Sequence, residues 1–227
     1  MTRCLFLAPH NDDETLFGAF TLLAWRPDVI VCYRSEKQDV HGIRPVTREM
    51  ETGMALRLLT GDFHAYLQAT VPDTASDAVA TAALRPIFED AHEILGTSRD
   101  PYDLVFAPAV EDGGHEQHSL IGDLALRVFG ERVVPYLTYR RGFGRSTSSV
   151  EVPFMPDWPA LKLAAMSFYR SQIALPSTAP WFIDHGLREF YAEGTKVGMF
   201  EQESPGFVEA REESPAPITA EHLRTML

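Results

Sequence analysis

Two short apolar runs, within Arg3 to Ala8 and within Tyr102 to Ala107, each break into a loop crowded with ionisable groups and then into an apolar helical stretch. A strand without polar alternation is covered on both faces, and such strands belong to parallel sheets flanked by helices. The repeated order of buried strand, charged loop and helix therefore restricts the chain to the α/β class with a mostly parallel sheet. Asp28 to Tyr33 repeats the buried-strand pattern, and the helix expected over Thr15 to Trp25 is a crossover long enough for a right-handed βαβ unit.

The remaining pattern extends this layout. A helix is expected over Arg44 to Leu59, stopped by Gly61, then a third strand over Phe63 to Gln68. A helix over Asp77 to Leu95 is expected to kink at Pro86. Ser119 to Phe129 reads as helix, Arg132 to Tyr139 as a fifth strand, Arg140 to Asp157 as loop with a short edge strand, and Pro159 to Gln172 as helix. Residues 1–198 are expected to form one domain. Residues 199–227, acidic and carrying prolines, read as a loosely packed tail with a short helix near Thr219 to Met226.

At 227 residues the chain can bury roughly 70–75% of its unfolded surface without disulfides or a structural metal. Any metal it takes is expected to be functional. Lys and Arg number 20 against 32 Asp and Glu, a formal charge of -12, with no basic run. Nucleic acid and anionic membrane surfaces are poor partners for such a chain, because affinity there comes largely from neutralising phosphate. The two cysteines, Cys4 and Cys32, lie inside apolar runs, which fits buried thiols in a reducing cytoplasm. The first apolar run is too short for a secretory core or a membrane span.

The first charged loop offers His10, Asp12, Asp13 and Glu14, and the second offers His115 and His118. In an open parallel sheet ligands bind beyond the carboxyl ends of the strands, so both loops are expected on one rim. Catalytic zinc takes three nitrogen or oxygen donors and leaves a position for water. Two histidines and one aspartate from these loops meet that count and leave a carboxylate and a histidine for proton transfer. Taken singly, either loop has an ordinary reading: Asp-Asp-Glu caps a helix and complements its dipole, and the histidines face solvent. The pair at matching strand ends favours a metal.

Ala8-Pro-His-Asn-Asp-Asp-Glu14 resembles the His-x-Asp-Asp-Glu signature of the zinc-dependent N-deacetylases of the PIG-L or LmbE-like family, and Gly114-His-Glu-Gln-His118 resembles its later His-x-Asp-His motif. Arg48-Glu49 with Ala55 and Leu59 is similar to its Arg-x-x-Glu helix region, and Lys162 with Ser171-Gln172 to its Lys-to-Ser-Gln helix. The resemblance implies a Rossmann-like fold, with His10, Asp13 and His118 as ligands of Zn2+ or another divalent ion such as Fe2+, Co2+ or Ni2+. Asp12 would be the general base, and His115 would stabilise the oxyanion or supply a proton. The implied reaction removes an acyl group, in the first place acetyl, from an amino-sugar-containing small molecule or glycoconjugate. Arg48 and Tyr139 are the candidate substrate contacts.

The chain departs from that pattern in places. Asn11 replaces a proline and is expected to affect only loop stiffness. Gln117 stands where the family has aspartate, which is expected to leave His115 a weaker partner, with Glu111, Asp112 or Glu116 as substitutes. Glu14 reads as a first-turn acid and Gln172 as a buried amide bracing the site. His41, His64, His92, His185 and His222 have no ligand-like companions, and Trp158 and Trp181 flank loops. The oligomeric state is open at this level.

Overall fold

The computed structural model describes residues 2–35, 45–61, 65–96, 101–111, 114–138, 149–173 and 188–192. Strand β1 (Cys4–Ala8) is buried at every position. Its side chains alternate between two cores, Cys4, Phe6 and Ala8 on one face and Leu5 and Leu7 on the other. This explains why the run carries no polar residue. It pairs in parallel with β2 (Asp28–Arg34) on one side and β4 (Leu104–Pro108) on the other. Outward from these lie β3 (Tyr66–Pro72) and β5 (Val133–Tyr136), also parallel. Two short antiparallel strands, β7 (Phe190–Ala192) and β6 (Ser149–Glu151), complete the order β3-β2-β1-β4-β5-β7-β6.

The helices follow as α1 (Asp13–Leu16), α2 (Ala19–Trp25), α3 (Pro45–Thr60), α4 (Asp77–Glu89), α5 (Ala91–Ile94), α6 (Glu116–Phe129), α7 (Trp158–Met166) and α8 (Arg170–Ile173). Helices α2, α3 and α7 close the core around Phe6, Phe106 and Tyr136, and α4 and α6 close the core around Leu5, Ile30 and Val105. The chain runs outward from β1 to β3 and then returns across β1 to β4. The loops after β1 and β4 therefore leave neighbouring strands in opposite directions, and such a switch point opens a crevice at the carboxyl ends. The α/β class and the parallel centre agree with the expectation, as does the short edge strand after Arg140.

Several elements differ from expectation. The helix after β1 starts earlier, at Asp13, and breaks at Phe17–Gly18. A Cβ on Gly18 would lie 2.3 Å from the Phe6 ring, so any larger residue there would force that buried ring aside. The polar groups freed by the break are met by a fully buried ion pair. Lys162 Nζ donates to the Leu16 carbonyl and to Glu189 at 2.8 Å each, and Glu189 accepts from the Phe20 N–H. Helix α4 continues through Pro86, and the interruption falls at Asp90. The helix expected over Pro159 to Gln172 divides into α7 and α8.

Strand β3 runs on to Pro72, because β2 offers pairing as far as Arg34. Strand β7 was not expected, since three residues give too short a pattern to read. Helix α6 begins at Glu116, with His115 as its N-cap, which places His118 in the first turn. Phe63, His64, Asp112, Tyr139, the boundary at 198 and the tail helix lie outside the described residues, as do His41, Trp181, His185 and His222.

Candidate metal centre and active site

His10 follows β1, Asp13 opens α1 and His118 sits in the first turn of α6. The switch point brings them together. Asp13 Oδ2 lies 3.1 Å from His10 Nδ1 and 3.1 Å from His118 Nε2. The two imidazole nitrogens are 3.2 Å apart. Delivery of His118 depends on Gly122, one turn further along α6, where a Cβ would fall 2.2 Å from the Pro108 carbonyl oxygen. His118 and Asp13 are almost fully buried, with side-chain exposures of 1% and 2%.

This triangle suits a metal. Donors held tetrahedrally about 2.0–2.1 Å from a zinc ion are spaced about 3.3–3.4 Å from one another, close to the three distances found. Two imidazole nitrogens facing each other this closely need a proton or a cation between them. The donor set, two nitrogens and one carboxylate oxygen, is that of a borderline divalent ion. Among the described residues these three form the group of His and carboxylate donors close enough together to hold one.

Asp12 and Asp13 are adjacent yet point to different partners. Asp12 has a φ of 110°, uncommon for a residue with a Cβ and costing of the order of 1–2 kcal/mol. The turn is held by Glu14, whose Oε2 accepts the Asp12 N–H at 3.0 Å, and Glu14 Oε1 in turn accepts the Tyr169 hydroxyl. Asp12 thereby faces Arg48 at 3.4 Å, while Asp13 faces the histidines. Burial pushes the Asp12 carboxyl up to about 8 against the pull of Arg48, with Asp13 and Glu14 adding to the rise. Burial opposes ionisation of Asp13 as well, but His118 and His10 outweigh it and hold that carboxyl far below its ordinary range.

His115 stands at the mouth, its ring centroid 5.1 Å from that of His10 and 4.9 Å from that of His118. Burial, then the neighbouring imidazoles, pushes it down to about 4, so it is a neutral N–H donor near pH 7. Arg48 also donates to the Asn11 carbonyl. Its ion-pair partner is thus Asp12, not an acid of its own helix.

Asn11 does more than stiffen the loop. It is buried and donates to Thr52 on α3 at 3.0 Å and to Gln68 on β3 at 2.7 Å. Gln172 bonds Ser171, whose N–H and hydroxyl both reach Glu51 on α3. Gln117 accepts from His10 Nε2 at 2.8 Å instead of serving His115. Tyr169 and Glu189 could not be found from the sequence: Tyr169 lies 155 residues from Glu14 and Glu189 lies 169 residues from Phe20 on α2, beyond any local pattern.

No protein-family model matches the sequence, and no curated protein matches it. Solved structures do. The deacetylase Dbv21, which acts on the pseudoaglycone of the antimicrobial A40926, superposes with a TM-score of 0.65 at 19% identity, over 84% of this chain and 96% of that one. The N,N'-diacetylchitobiose deacetylase of Pyrococcus horikoshii gives 0.58 at 18% identity, over 90% and 87%. The chain shares the fold of these two deacetylases. The 4-carboxy-2-hydroxymuconate hydratase of Pseudomonas putida also superposes on it, with a TM-score of 0.55 at 12% identity over 85% of this chain and 96% of that one. One fold therefore carries more than one chemistry, and the reaction has to be argued from the side chains. Among the described residues no helix is long and apolar enough to cross a membrane.

Proposed function

We propose that the chain is a metal-dependent N-deacetylase that releases acetate from an N-acetylated amino sugar or a glycoconjugate bearing one. The observation that carries this reading is the buried triangle of His10 Nδ1, Asp13 Oδ2 and His118 Nε2, with the Asp12 carboxylate turned away from it next door. The two deacetylases sharing the fold support the acyl group and the substrate class. Zn2+ is the expected ion. When bound there, it would polarise the amide carbonyl and acidify a water.

The chain's own residues then divide the work. Asp12 takes the proton from the attacking water as general base, its backbone fixed by Glu14 and its carboxyl steered by Arg48. Burial alone holds that carboxyl protonated, and a divalent cation beside it would favour the ionised form the base needs. Neutral His115 donates its N–H to the oxygen that becomes negative as the carbonyl is attacked. The C–N bond breaks, and the amine leaves with the proton that Asp12 collected. In this reading Arg48 is chiefly a positioning residue for Asp12. The thiols of Cys4 and Cys32, buried and outside any disulfide, support a cytoplasmic setting.

Acetate release from a panel of N-acetylated amino sugars by zinc-loaded protein tests the proposal. Asp12→Ala should keep its metal and lose about 10²–10⁴-fold in turnover, whereas His118→Ala should lose the metal itself. Full activity of Asp12→Ala would refute the base, and release of some other acid would move the reading to a different amide or ester.

A further inference from the structure

We infer that Gln117 is a positioning residue that selects the tautomer of His10 and so the nitrogen this ligand presents to the metal. The inference rests on the metal reading above but concerns a residue outside the donor set. Gln117 lies in the first turn of α6, and its amide is engaged at both ends: Nε2 donates to the Asp73 carbonyl at 2.7 Å, and Oε1 meets His10 Nε2 at 2.8 Å. A carbonyl oxygen only accepts, so the amide NH2 must face Asp73 and its oxygen must face His10. That oxygen also only accepts, so His10 Nε2 must carry the hydrogen. In the neutral ring Nδ1 is then left with its lone pair, and Nδ1 is the atom 3.1 Å from Asp13 and 3.2 Å from His118.

Each group in this chain is itself anchored. Asp73 gives its N–H to the Arg34 carbonyl at 3.0 Å and takes the Ser35 hydroxyl on its carboxylate at 3.2 Å. The His10 ring stacks on Tyr33 with centroids 5.6 Å apart. The ends of β2 and β3 thus set the orientation of a ligand that follows β1. The arrangement also explains an amide at position 117. A carboxylate could accept from His10 but would have no hydrogen for Asp73, and would set negative charge against that carbonyl.

The test uses full-length protein and three variants, with zinc affinity measured against a competing chelator and the protonated ring nitrogen of His10 read from long-range 1H–15N NMR of the zinc-loaded protein. Gln117→Met keeps the shape and removes both hydrogen bonds. It should melt as a folded protein, bind zinc about 10–100-fold more weakly and lose the Nε2–H signature of His10. Gln117→Glu should recover zinc affinity and the tautomer while melting at a lower temperature, since only its contact with Asp73 is opposed. Gln117→Met binding zinc as tightly as the parent, or keeping the Nε2–H signature, would overturn the inference and leave the metal site standing. A parent protein that takes up no zinc, or a His118→Ala variant that takes it up unchanged, would overturn the metal reading and this inference with it.

Discussion

At the scale of single residues, the site depends on two adjacent aspartates doing different things. A side chain at Asp13 aimed at two imidazoles leaves Asp12 no room to join them, and the positive φ at Asp12 sends its carboxylate towards Arg48. Glu14 keeps that turn by accepting the Asp12 N–H and the Tyr169 hydroxyl. Glu14→Leu removes the acceptor of the Asp12 N–H and leaves the Tyr169 hydroxyl its longer contacts with Thr15 and Thr52 at 3.4 Å, which should cost about 1–3 kcal/mol in urea denaturation of the metal-free protein. Glu14→Gln retains an oxygen for Asp12 and offers its NH2 to the tyrosine oxygen, so it should cost about 1 kcal/mol or less. Equal losses in the two variants would show that the hydrogen bonds do not hold the turn. The gathering of His10, Asp12, Asp13, His115 and His118 at two neighbouring strand ends was legible in the sequence because the residue types and strand-end placement are local. The partners of Gln117 and Glu14 were not, since Asp73 and Tyr169 reach the site only through the fold.

At the scale of elements, glycines decide where helices can approach strands. Gly122 lets α6 press against the end of β4, where a Cβ would meet the Pro108 carbonyl oxygen at 2.2 Å. That neighbour is backbone and cannot turn aside. Gly122→Ala should therefore destabilise by about 1–3 kcal/mol and displace His118, lowering zinc affinity as well. Gly53, in the middle of α3, has nothing within 4 Å of its Cβ position, and Gly53→Ala should stabilise by roughly 0.5–1 kcal/mol. Thermal or urea unfolding of the pair gives opposite signs if the packing is as described. Strands β1, β2 and β4 were readable from the sequence because burial on both faces leaves an unbroken apolar run. The break between α1 and α2 was not, because the groups that satisfy it, Lys162 and Glu189, are distant in the chain and nothing local ties them to it.

At the scale of the whole molecule, the reversal of strand order at β1 and β4 places both charged loops at one crevice, which is why motifs more than 100 residues apart build one site. The net charge of -12 acquires a local meaning there: three consecutive acids, Asp12 to Glu14, are buried together, and a divalent cation would offset the charge concentrated among them. Titration of metal-free protein with zinc measures this directly. The parent should bind one equivalent per chain, and His118→Ala or Asp13→Ala none with comparable affinity. A parent chain that binds no zinc, or binds it equally well without His118 and Asp13, would contradict a metal site built on those residues.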